Sequence, residues 1–213
     1  FMPELPEVQT VVNYLAPEVQ GKIINSIDSP NNYLKVFENG NLSFVKNAIQ
    51  GKRIVRLGRR GKYIIIHLNK GHLILHLRMT GKLLLQGLQK KFDKHLSFRI
   101  NFNDNSNLYF YDTRKFGRIY FSKTLNWLEQ KLGIEPLSME FNLRWLTQSL
   151  GQRKRMMKPL LLDQSFIAGL GNIYIDEILW KSNIHPLSLS NKIPEQIIPD
   201  LYKNIRSILQ DAI

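Results

Sequence analysis

The sequence predicts an α+β protein: an N-terminal helix, an antiparallel β-sandwich or barrel-like domain, then a helical domain. Three observations carry that reading. Apolar residues recur at helical spacing near the start, short apolar runs divided by Gly and Asn turns fill the middle, and helical spacing returns from Leu125 onward. A chain of 213 residues is long enough for two small domains. The Gly133-Ile134-Glu135-Pro136-Leu137 stretch reads as the linker, dividing an N-terminal domain at 1–132 from a helical one at 133–213.

The elements follow in order. Val8, Val11, Val12, Leu15 and Val19 form one helical face, and Gly21 stops the helix. From Lys22 to about Ser122 the pattern is one of short strands, clearest at Tyr63–Leu68, Leu73–Leu77, Lys82–Leu85, Leu96–Phe102, Leu108–Tyr111 and Arg118–Phe121. Strands this short and this closely spaced suit an antiparallel sandwich. Helices are then predicted over Leu125–Leu132, Leu143–Leu150, Met156–Leu162, Ile173–Lys181 and Ile193–Ile213. The apolar face of the last runs to Ile213 without a cap, so the chain reads as cut short of its natural end.

Charge narrows the function. Thirty Lys and Arg against 17 Asp and Glu leave a net +13, and 13 of those bases lie in residues 51–100 beside a single acid, Asp93. A block this lopsided inside a strand pattern suits phosphates better than a solvated face does. With 43% hydrophobic residues the chain can bury a core, and the absence of Cys excludes disulfides, thiol catalysis and Cys-held zinc within these residues. No apolar run approaches the roughly 20 residues that span a bilayer, and Glu4 and Glu7 stand where a signal peptide would be basic and then apolar. Gly-x-Ser-x-Gly and Walker loops are absent, leaving those hydrolase classes unsupported.

Four motifs carry chemistry. In Pro3-Glu4-Leu5-Pro6-Glu7-Val8, a proline at a true N-terminus is a secondary amine able to form an iminium at a sugar aldehyde carbon, with Glu4 as general acid or base. The plainer reading is a Pro-x-x-Pro lead into a helix whose dipole favours Glu. Arg59-Arg60-Gly61-Lys62-Tyr63 enters a strand, and His72-Leu73-Ile74-Leu75-His76-Leu77-Arg78-Met79-Thr80-Gly81-Lys82 follows. His72 and His76 would sit about 13 Å apart on a strand, too far for one metal ion, so they read as backbone contacts. Asp112-Thr113-Arg114-Lys115-Phe116-Gly117-Arg118 sets an aromatic between cations at a turn, suited either to a wedge in a base stack or to a hairpin with its aromatic in the core. Gly169-Leu170-Gly171-Asn172 feeds a helix and reads as a phosphate site rather than a dinucleotide fingerprint, with a second basic cluster upstream at Gln152–Lys158.

Together, in this order, the motifs resemble those of the formamidopyrimidine-DNA glycosylase family along the chain from Pro3 to Ile213. The resemblance implies a β-sandwich with an N-terminal helix, a helix–two-turn–helix domain, and duplex DNA in a cleft between them. It implies a bifunctional glycosylase and abasic-site lyase excising oxidised purines such as 8-oxoguanine and formamidopyrimidines, by base flipping, a Schiff base and β,δ-elimination. By the family's motif Pro3 is the nucleophile on C1′, Glu4 the acid that protonates the deoxyribose ring oxygen, Glu7 the second acidic position, and Lys62 the hairpin lysine on a phosphate by the lesion. His76 falls in a strand with a DNA contact. Met79, Arg114 and Phe116 fill the void left by the everted nucleotide and probe the opposite base; Asn172 holds a phosphate and Lys158 lies near the base site.

Two alternatives stay open: a non-catalytic damaged-DNA-binding module, and an endonuclease VIII-like enzyme for pyrimidine lesions, whose signature has Gly where this chain has Leu5. The resemblance further implies one structural zinc held by four cysteines beyond Ile213, with no cofactor in these residues. The partner is double-stranded DNA with oxidised bases or abasic sites, and no membrane is involved. The expected state is a monomer, and the expected place the cytoplasm of a bacterial-type cell, on its nucleoid. Met2 reads as the initiator and Phe1 as an addition ahead of it. With both attached, Pro3 is acylated, and the chain as written is expected to bind DNA without excising a base.

Overall fold

The computed structural model describes residues 2–38 and 41–213; Phe1, the addition expected above, lies outside the described residues. The fold agrees with the α+β prediction. By contacts the chain divides into two units, one made of residues up to Pro3 with Val8–Leu125, the other of Glu4–Glu7 with Asn126–Ile213.

Among the described residues, the first unit holds most of helix α1 (Leu5–Val19), the short helix α2 (Leu42–Ile49) and eight strands: β1 (Ile24–Asp28), β2 (Ile54–Arg60), β3 (Tyr63–Leu68), β4 (His72–His76), β5 (Gly81–Leu84), β6 (Leu96–Phe102), β7 (Asn107–Asp112) and β8 (Arg118–Ser122). They form two four-stranded antiparallel sheets, ordered β1-β6-β7-β5 and β2-β3-β4-β8. One core runs through the unit. Ile27, Phe98, Ile100 and Phe110 of one sheet, Ile64, Ile66, Leu73 and Leu75 of the other, and Val8, Val12 and Leu15 of α1 are all at most 5% exposed. Along β3 every residue is buried, so this strand shows a continuous apolar run rather than alternation.

Several expectations need correction. Helix α2 lies inside the stretch read as strands. Asn41 caps it by accepting the Phe44 N–H at 2.8 Å, and Val45 and Ile49, one turn apart, are its buried residues. Arg59 and Arg60 end β2 rather than lead into a strand; the two-residue turn Gly61-Lys62 joins it to β3. The 112–118 turn closes no hairpin either, because β7 and β8 belong to different sheets and the loop crosses between them.

The second unit holds α3 (Asn126–Lys131), α4 (Leu143–Gly151), α5 (Met157–Leu162), α6 (Asn172–Lys181) and α7 (Ile198–Asp211). Leu5, Leu146, Leu150, Leu160, Ile175, Ile178, Leu201 and Ile205 are each 0% exposed in its core. The last helix starts five residues later than its apolar face suggested. Pro194 and Pro199 lack an N–H, so the chain makes a 3-10 turn at Glu195–Ile197 and keeps Pro199 in the first turn of α7. That helix ends at Asp211 with Ala212 as its C-cap.

Candidate active site and nucleic-acid interface

Glu4 precedes the first residue of α1 and is 3% exposed. Its own N–H donates to Oε2 of Glu7 at 2.8 Å, the reach-back half of a capping box. The Glu4 side chain turns instead to the start of α6, where Oε1 accepts the Ile173 N–H at 3.0 Å. Leu5 continues the attachment, donating its N–H to the Gly169 carbonyl at 3.0 Å.

The Gly-x-Gly turn leaves room for both residues. A Cβ on Gly171 would stand 2.4 Å from the Glu4 carboxyl carbon, and one on Gly169, whose φ is +96°, would stand 2.8 Å from Leu5. The turn was expected to offer amides to a phosphate; one of those amides already holds a carboxylate, at the positive end of the helix dipole. Asn172 is exposed beside it as the first residue of α6. On the same helix Tyr174 donates its hydroxyl to Glu7 Oε1 at 2.6 Å. Burial, and then that hydrogen bond to Glu7, raise the Tyr174 pKa well above the ordinary phenol value, so it remains a donor. Lys158 of α5 is half-buried and paired with Asp176, Nζ to Oδ1 at 2.6 Å.

In the first unit, Pro3 is half-buried. Lys62, in the β2–β3 turn, is buried at 5% exposure. His76 ends β4 with its ring edge-on to Tyr63 at 4.6 Å, and its Nδ1 accepts the Arg78 N–H at 3.0 Å. This fixes the imidazole tautomer with hydrogen on Nε2. His72 lies four residues away against His67 instead, so the two histidines share no site.

Met79 and Phe116 come together although they belong to different loops. With Met2, Glu38, Arg78 and Arg118 they line a cavity of about 410 Å³. Phe116 is 46% exposed, which disposes of the core alternative, and the Arg114 guanidinium lies over its ring at 5.1 Å from the centroid. Arg118 salt-bridges Glu38 at 2.7 Å.

Sequence reasoning passed over three residues that organise these groups. Tyr174 steadies Glu7, Thr80 follows Met79, and Asp112 closes β7 just before the Arg114–Phe116 loop. Asp112 and Thr80 both stand in the motifs given above, and for Asp112 its place at a strand end facing a turn was the available signal. Nothing local marks the roles of Thr80 and Tyr174.

The formamidopyrimidine-DNA glycosylase N-terminal domain family matches residues 2–119, and the family's H2TH domain matches residues 132–213. The formamidopyrimidine-DNA glycosylase of Lactobacillus gasseri is 42% identical over 218 residues, spanning 99% of this chain and 77% of that protein. The crystal structure of the Lactococcus lactis enzyme, bound non-covalently to DNA with an AP site, is 37% identical with a TM-score of 0.89. It covers 99% of this chain and 81% of its own. A structure of an inhibited LlFpg with DNA containing N7-benzyl-Fapy-dG is 36% identical, also at 0.89, covering 99% of this chain and 79% of its own. A Pro3-Glu4 pair whose acid is seated on a glycine turn, within a match that takes in the sandwich and the helices alike, leaves one assignment: the chain belongs to the formamidopyrimidine-DNA glycosylase family.

Proposed function

We propose that this chain, a DNA repair glycosylase and abasic-site lyase by its family, removes oxidised purines once it begins at Pro3, with Pro3 as nucleophile and Glu4 as proton donor. The observation that carries the reading is the seat of Glu4, a buried carboxyl oriented by the Ile173 amide one residue after the proline. The secondary amine of a chain beginning at Pro3 attacks C1′ of the everted nucleotide and the base leaves with a proton. The C1′–O4′ bond then opens, O4′ takes a proton from Glu4, and an iminium joins Pro3 to the sugar. Loss of a C2′ proton expels the 3′ phosphate, a second elimination expels the 5′ phosphate, and water releases Pro3. Lys62 and Asn172 hold phosphates, His76 and Lys158 border the bound strand, and Met79, Arg114 and Phe116 form the wedge that replaces the everted base. Support comes from exposed Phe116 and Asn172 and from the cavity at Met79.

The same reading takes duplex DNA with oxidised purines or abasic sites as partner and one chain per lesion. It places the chain in the cytoplasm on the nucleoid, and the net +13 favours such a partner. Among the described residues, no helix is long and apolar enough to cross a membrane. The structural zinc implied by the resemblance finds no fitting residues here. The chain has no Cys, and among the described residues no three His, Asp or Glu side chains gather to hold a metal ion.

Borohydride trapping on abasic duplex tests the mechanism. A chain that starts at Pro3 is expected to give a covalent adduct. A chain shown by mass to keep Met2 is expected to give none, because its proline nitrogen is an amide. An adduct from the Met2-bearing chain would assign the nucleophile to another amine.

A further inference from the structure

Met79 and Phe116 reach one cavity from separate loops, and a single buried carboxylate ties those loops together. Asp112 is 1% exposed. Its Oδ1 accepts the Thr80 hydroxyl at 2.5 Å and the Arg114 N–H at 3.1 Å, while Oδ2 accepts the Gly117 N–H at 2.6 Å. The Thr80 hydroxyl oxygen also accepts the Arg114 N–H, at 3.0 Å. Every one of these donors is within one residue of Met79, Arg114 or Phe116.

From the other side the Lys115 carbonyl accepts the Tyr33 hydroxyl at 2.5 Å and an Arg118 N–H at 3.1 Å. Lys115, at φ 60°, sends its ammonium to Ser97 Oγ at 3.2 Å. Arg114 and Phe116 on either side of it stay exposed.

We propose that Asp112, together with Thr80, is a positioning residue that holds Met79, Arg114 and Phe116 as one rigid wedge and so sets base eversion and reading of the opposite base without touching DNA. The inference rests on the wedge role given to those three residues above. Its physical basis is preorganisation: side chains already ordered lose less freedom on insertion, and supporting hydrogen bonds keep them in productive geometry.

The test compares Thr80→Val, which keeps the shape and removes the hydroxyl, with Thr80→Ser, which restores it, alongside Asp112→Asn and Phe116→Ala. Each full chain beginning at Pro3 is assayed for excision of an oxidised purine opposite each of the four bases in duplex DNA. Borohydride trapping on single-stranded abasic DNA, where no base is everted, is the internal reference. Thr80→Val is expected to lower duplex excision relative to that reference by about tenfold or more, since small misplacements far from the chemistry carry such costs. Opposite-base ratios are expected to move toward one, Thr80→Ser to recover both, and Thr80→Val to add nothing on top of Phe116→Ala. Should Asp112→Asn fail to fold, the Thr80 pair decides.

Impaired Phe116→Ala beside wild-type Thr80→Val overturns this inference and leaves the wedge standing. An equal fall in both assays for Thr80→Val also overturns it, as a general loss of structure. Wild-type excision by Phe116→Ala sinks the wedge reading, and this inference with it.

Discussion

The Ile173 amide donates to Glu4 Oε1 at 3.0 Å, so the first turn of α6 orients an acid that lies 169 residues earlier in the chain. Gly171 leaves the room for that carboxyl. Its φ of −141° is open to any residue, so a substitution there acts through Glu4 rather than through backbone strain.

Gly171→Ala is therefore expected to fold normally and to lose base excision. The new methyl group displaces the Glu4 carboxyl, and an ångström-scale misplacement of a reacting group costs on the order of a hundredfold. Gly169→Ala is the contrast: at φ +96° and against Leu5 it is expected to cost more than about 1 kcal/mol of stability. Excision rates and thermal melts of the two variants separate the effects. Normal excision by Gly171→Ala would remove Glu4 from the mechanism.

Tyr174→Phe removes the hydroxyl that Glu7 accepts at 2.6 Å and loosens the carboxylate that in turn holds the Glu4 N–H. A hydrogen bond to a charged group is worth about 1.5–3 kcal/mol, so a measurable fall in melting temperature is expected together with slower excision.

Phe116→Ala distinguishes wedge from core. Truncating a buried Phe costs about 3–5 kcal/mol, whereas this ring is 46% exposed. Melting is expected to stay close to wild type while DNA bending and lesion excision fall. A large drop in melting with normal bending would assign Phe116 a structural role and sink the wedge reading.

Salt separates the charged phosphate contact from the neutral one. Lys62→Met is expected to weaken binding to all duplexes and to reduce the slope of log affinity against log salt by about one. Asn172→Ala is expected to weaken binding with the slope unchanged, because no counterion is exchanged for an amide. Affinities titrated at several salt concentrations give both numbers.

His67 makes stability depend on pH. Burial, and then the charges of Arg56 and His72, hold its pKa down to about 4 from 6.5, and His72 is lowered in the same direction. The unfolded chain thus binds a proton that the folded chain refuses, and stability falls as pH drops through that window. Thermal melts from pH 7.5 to 4.5 should fall more steeply for the wild type than for His67→Gln; parallel curves would assign the acid sensitivity elsewhere.

Much of this molecule can be read from local pattern. β3 and β6 begin and end where the sequence pattern places them, whereas the aromatic flanked by cations at a turn left Phe116 open between wedge and core. Local pattern fails where distant partners decide. Helix α2 has only eight residues, too few for its period to stand out between turns. Lys62 lies among bases in sequence yet is buried in the fold, and the Gly-x-Gly turn carries a phosphate-site signature while seating a carboxylate. Thr80 and Asp112 are 32 residues apart, and nothing in either neighbourhood names the other.

The segment Glu4–Glu7 is grouped with Asn126–Ile213, while the residues on both sides of it are grouped with the sandwich. That division has a consequence for synthesis. The amide that orients Glu4 is made 169 residues after the acid itself, roughly 8–35 s at ordinary elongation rates. Both sheets can pair in that interval, since their strands end at Ser122. In that interval a nascent chain has the residues of both sheets but not the amide that seats Glu4, so the carboxyl can gain its orientation only after the residues of α6 are made.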